Sequence, residues 1–115
     1  MRIRDRIYGL ETEFGAMIRT DDGKFLSATS ADSVTFFWFF SHAQDSINYL
    51  GRLWHTNGSL SYMDFNEHPE HATAECRSIR DLVACAKAGE HIMTDIFDAS
   101  CPKMGNSRFI LFKNN

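Results

Sequence analysis

Tyr8-Gly9-Leu10-Glu11-Thr12-Glu13-Phe14-Gly15 decides how the rest of this chain is read. Around it, Ile3 to Arg19 alternates well enough to predict a long strand or one arm of a hairpin. Successive strand side chains point to opposite faces, so Tyr8, Leu10, Thr12 and Phe14 share one face and Gly9, Glu11, Glu13 and Gly15 the other. Two carboxylates on one face repel, and the flanking glycines leave that face open to a ligand. The pair suits a divalent cation such as Mg²⁺, because hard carboxylate oxygens bind it and its charge relieves the repulsion. Taken alone, such a pair more often marks an exposed, solvated strand face.

Working outward, Thr20-Asp21-Asp22-Gly23-Lys24 is a turn signalled by Asp-Gly. Ser30-Ala31-Asp32-Ser33 reads as a helix N-cap region, opening a helix from about Val34 to Leu50. The aromatic run Phe36–Phe40 is apolar all round a helix axis, which fits a core or subunit interface better than an exposed partner-binding patch. Asn57-Gly58 turns the chain into a strand over Ser59–Phe65, His68-Pro69 breaks it, and His71–Arg77 forms the next. Ser78–Ala99 is helical, with Leu82, Cys85, Ala86, Ile92, Met93, Ile96 and Phe97 at three- and four-residue steps. Arg108–Phe112 closes the order β, α, β, β, α, β as an apolar strand in need of neighbours.

Composition narrows the function classes. The chain has 115 residues, one domain's length, with 12 Lys+Arg against 15 Asp+Glu and a net charge of −3. No basic excess exists to bind nucleic acid or an anionic membrane. A hydrophobic content of 43% excludes disorder, while the longest apolar run is too short to span a bilayer. Cys76, Cys85 and Cys101 form no CxxC pair, which argues for a reducing cytoplasm rather than a disulfide or zinc framework.

A second constellation runs from Tyr62 to Cys76, with Asp64, Glu67, His68, Glu70, His71 and Glu75 around one tight turn. An Asp at a strand end beside a His-Pro turn can serve as a general base. A solvated charged loop has the same composition. His68, before Pro69, reads as a turn residue satisfied by backbone bonds, and Cys76 as a small buried residue rather than a nucleophile.

Together these stretches resemble the N-terminal part of the Pup ligase and depupylase family, carboxylate–amine ligases and amidases of the glutamine synthetase-like fold. The resemblance rests on Tyr8–Gly15, on Thr56-Asn57-Gly58 leading to Tyr62-Met63-Asp64, and on His68-Pro69-Glu70-His71-Ala72-Thr73-Ala74-Glu75-Cys76. It continues through Asp81-Leu82-Val83, Lys87-Ala88-Gly89-Glu90 and Leu111-Phe112-Lys113-Asn114-Asn115. The Ala-Thr-Ala-Glu-Cys form and the short segment between Gly15 and Asn57 are closer to the ligase branch. The resemblance implies an α+β fold: the N-terminal part of a curved antiparallel sheet with helices on one side, completed by a downstream chain. Residues 1–115 would be one segment of that catalytic domain. It implies Mg²⁺ and ATP, with Glu11 and Glu13 on the metal–nucleotide face and Tyr62 beside them. Asp64 would be catalytic base or nucleophile, and Glu70 and Glu75 further acidic groups at the metals.

Family members are several times longer, and the ligases carry a threonine directly after the same Lys-Asn-Asn. The leading expectation is therefore an amide-bond hydrolase whose precursor is cleaved after Asn115, exposing an N-terminal Thr, Ser or Cys nucleophile on a partner chain. Its partners would be that downstream chain, an amide-containing small molecule or protein, and further copies in an oligomer of heterodimers. The alternatives are an ATP- and Mg²⁺-dependent Pup–protein ligase or depupylase fragment, and a short non-catalytic homologue acting as an interaction protein.

Overall fold

A computed structural model describes residues 6–27, 46–49, 52–64, 68–100 and 108–113. Strand β1 (Glu11–Arg19) organises the sheet, because its two halves take different partners. Glu11, Thr12 and Glu13 pair antiparallel with Ala72, His71 and Glu70 of β6 (Pro69–Ala72). From Phe14 to Arg19 the partner is β7 (Arg108–Lys113), and Met17–Arg19 also pair with β2 (Phe25–Ser27). Beyond β6 lie β5 (Leu60–Met63), β4 (Arg52–His55) and β3 (Ser46–Tyr49), giving seven antiparallel strands among the described residues. Two turns need left-handed backbone and place glycine there: Gly23 at φ 80° between β1 and β2, and Gly58 at φ 83° between β4 and β5.

One sheet face packs against the helix α1 (Ile79–Ser100), whose first turn is capped by Ser78 Oγ accepting from the Asp81 N–H at 3.1 Å. Phe14, Ala16 and Ile18 alternate down β1 into a core shared with Leu53 and with Met93, Ile96 and Phe97 of α1. Glu90 of α1 pairs with Lys113 of β7 and with Lys87 at 2.8 Å, and these cations, Lys113 foremost, hold its carboxyl below its ordinary pKa. No helix among the described residues is long and apolar enough to cross a membrane.

The fold is α+β, as expected, but several boundaries differ. Ser46–Tyr49, assigned above to the end of a helix, form a strand paired with Arg52–His55, because a hairpin partner two residues away outweighs local periodicity. The rest of that expected helix and the aromatic run Phe36–Phe40 lie outside the described residues. The strand expected over His71–Arg77 instead begins at buried Pro69, at the first position where a missing N–H is tolerated, and ends at Ala72. The first strand begins at Glu11, with Tyr8 making only an isolated bridge to Cys76. Among the described residues the helix on the sheet is α1.

Between sheet and helix lies a polar line. Ser61 Oγ bonds His55 Nε2 at 2.7 Å and His71 Nδ1 at 2.8 Å, while buried His71 Nε2 has no partner. Gly89 of α1 rests on the His71 ring, and a Cβ there would stand 2.3 Å from it. Gly89→Ala should therefore destabilise the protein by about 1–3 kcal/mol through overpacking, instead of giving the usual helix gain of ~1 kcal/mol. Thermal unfolding reads the sign.

Burial, then the neighbouring His55, pushes the His71 pKa down from 6.5 to about 4. The unfolded chain thus binds a proton that the folded chain refuses across that range. This stability contribution is complete above pH 6.5 and falls as pH drops from 6.5 towards 4, by up to ~1.4 kcal/mol per pH unit. Denaturant titrations should show an acid limb that is shallower in His71→Leu.

Candidate functional site

The sheet face opposite the core carries the acidic residues, and register aligns them. Glu13 is opposite Glu70, Glu70 opposite Tyr62, and Tyr62 opposite Arg52, so four polar side chains stand in line across four strands. Glu11 shares the face of Glu13, one pleat along. The Tyr62 hydroxyl donates to Glu11 Oε1 at 3.0 Å and also lies within hydrogen-bond reach of Glu70. Burial, followed by these two carboxylates, pushes the phenol pKa well above its ordinary value, so Tyr62 stays a protonated donor at neutral pH. Glu11 and Glu70 thus offer carboxylate oxygens of the kind hard divalent cations prefer, with the Tyr62 hydroxyl beside them.

A second group adjoins the first. Asp64 directly follows β5, and the chain returns so that its N–H donates to the His68 carbonyl at 3.0 Å. The His68 N–H donates to Asp64 Oδ1 at 2.8 Å, and the His68 ring Nδ1 donates to Glu13 Oε1. One ligand atom from each of Glu13, Asp64 and His68 lies within 4.8 Å of the other two, and all three residues are half-buried.

The two glycines flanking the glutamates differ in surroundings. Gly9 is exposed, with open space where a side chain would be. Gly15 is buried, not open as read above: the Phe112 ring of β7 lies over it, 2.2 Å from where a Cβ would stand, and walls one end of the acidic face.

The structure thus brings together Glu11, Glu13, Tyr62, Asp64 and Glu70. Glu75 stands apart. Thr73 N–H bonds the Leu10 carbonyl and Cys76 exchanges backbone bonds with Tyr8, so Ala74 and Glu75 both face the single Gly9, with Glu75 exposed. Asn115 lies outside the described residues. Cys76 is buried, and burial, then neighbouring Cys85, raises its thiol pKa, which fits an inert residue. Sequence reasoning missed the ring of His68, whose partner is 55 residues away, and Arg52, whose strand it did not foresee.

The chain matches the Pup-ligase protein family over residues 6–115. It is 37% identical over 114 residues to a Pup–protein ligase of Paenarthrobacter aurescens, covering 96% of this chain and 24% of that relative. It is 35% identical over 118 residues to one of Acidimicrobium ferrooxidans, covering 99% and 25%. Among solved structures, the complex between prokaryotic ubiquitin-like protein Pup and its ligase PafA aligns with TM-score 0.77 and 29% identity, over 96% of this chain and 22% of that one. The chain thus spans about a quarter of the length of these relatives.

The raised Tyr62 pKa is open to direct measurement. In a spectrophotometric titration its tyrosinate should form well above the ordinary tyrosine range, and Tyr62→Phe should delete that high-pH step.

Proposed function

The chain belongs to the Pup-ligase protein family, and from that premise we propose that it supplies the acidic face of a cytoplasmic site that joins Pup to protein lysines using ATP. The observation that carries this reading is the convergence of Glu11, Tyr62 and Glu70 beside Glu13 and Asp64. The relatives bear the name of ligases, so ligation takes precedence over the amide hydrolysis expected above, and neither cleavage after Asn115 nor an N-terminal nucleophile finds support in them. The antiparallel sheet with a helix on one face is consistent with the start of a glutamine synthetase-like domain, completed by chain beyond these residues.

The carboxylates of Glu11, Glu13 and Glu70 would hold Mg²⁺, with the Tyr62 hydroxyl keeping Glu11 in place, and the ion would supply neutralisation of phosphate charge. A Pup side-chain carboxylate oxygen attacks the γ-phosphorus of ATP, and ADP leaves. A lysine amine then attacks the acyl carbon, phosphate leaves, and the amine proton passes to Asp64. The His68 N–H holds Asp64 Oδ1 and so orients this base.

The native protein, incubated with Pup, a lysine-bearing protein, ATP and Mg²⁺, should yield a covalent conjugate and one ADP for each bond formed. EDTA should stop the reaction. Asp64→Asn keeps nearly the same volume, so the fold should persist while turnover falls roughly 10²–10⁴-fold. Amide hydrolysis that proceeds without ATP would restore the hydrolase reading, and no turnover in either assay would favour a non-catalytic partner.

A further inference from the structure

We infer that His68 is a positioning residue, the clamp that holds the Asp64 and Glu13 carboxylates at their working separation; this deepens the ligation reading and rests on it. Two carboxylates that approach within 4.8 Å repel, and each needs a donor to stay in place. His68 supplies both donors from one residue. Its backbone N–H fixes Asp64 Oδ1 at 2.8 Å, and its ring Nδ1–H fixes Glu13 Oε1. The Pro69 that follows is fully buried at the start of β6, so the backbone carrying both donors is anchored. Glu13, inside β1, and Asp64, just after β5, are thereby joined through one residue.

The clamp predicts a particular pattern of losses. Removing the ring leaves the backbone donor on Asp64 but takes the Nδ1 donor from Glu13, and residues that orient ligating carboxylates typically matter 10–100-fold for activity or metal affinity. In the native protein, His68→Ala should lower kcat for conjugation about 10–100-fold with KM for Pup and ATP nearly unchanged. Its affinity for Mn²⁺ alone, read by electron paramagnetic resonance, should fall about tenfold. His68→Asn keeps an N–H donor close to the position of Nδ1 and should restore most of both quantities. Unaltered kcat and Mn²⁺ affinity in a folded His68→Ala protein would overturn the clamp. So would His68→Asn being as impaired as His68→Ala. The Mn²⁺ titration needs no turnover, so it tests the clamp even if the wild-type protein proves not to be a ligase.

Discussion

The antiparallel register between β1 and β6 is the constraint on which the acidic face depends. Glu13 meets Glu70 because Thr12 meets His71, and that second pair is held by packing on the opposite face. A slip of one residue would send Glu11 and Glu13 into the core and Phe14 into solvent. The burial of Phe14, Ala16 and Ile18 therefore also keeps the carboxylates outward. Site and core are two readings of one alternation.

The polar line beneath the site adds to that constraint. Ser61 links β5 to His71 of β6 and to His55 of β4, so three strands are stitched at the level of the acidic row. Gly89 lets α1 approach the His71 ring closely enough to bury it. A larger residue would lift the helix from the strands that carry Glu70 and Tyr62. On the outer face the Phe112 ring covers Gly15 and bounds the same row from the β7 side, where Lys113 ties β7 back to Glu90 of the helix.

The two clusters divide the carboxylates by what satisfies them. Glu11 and Glu70 share a phenol whose proton is held firmly, while Glu13 and Asp64 share the backbone and ring donors of His68. Each arrangement offsets the repulsion that a row of unpaired carboxylates would suffer, and each leaves oxygen ligands on the outer face. Glu75 sits outside the regular pairing, where an extra residue stands opposite Gly9.

The sequence by itself determined whatever depends on near neighbours. A period of two placed Glu11 and Glu13 on one strand face, Asp-Gly and Asn-Gly marked turns whose glycines have positive φ, and three- and four-residue spacing marked α1. Motif order also sufficed to recognise the family. Only the tertiary structure decided that Ser46–Tyr49 would be strand rather than helix, that Pro69 would open a strand, and that Phe112 would close over Gly15. It alone joined Tyr62 to Glu11 across 51 residues and His68 to Glu13 across 55. The physical reason is that strand pairing and cross-strand hydrogen bonds draw their free energy from groups far apart in the chain, which no local propensity or periodicity encodes.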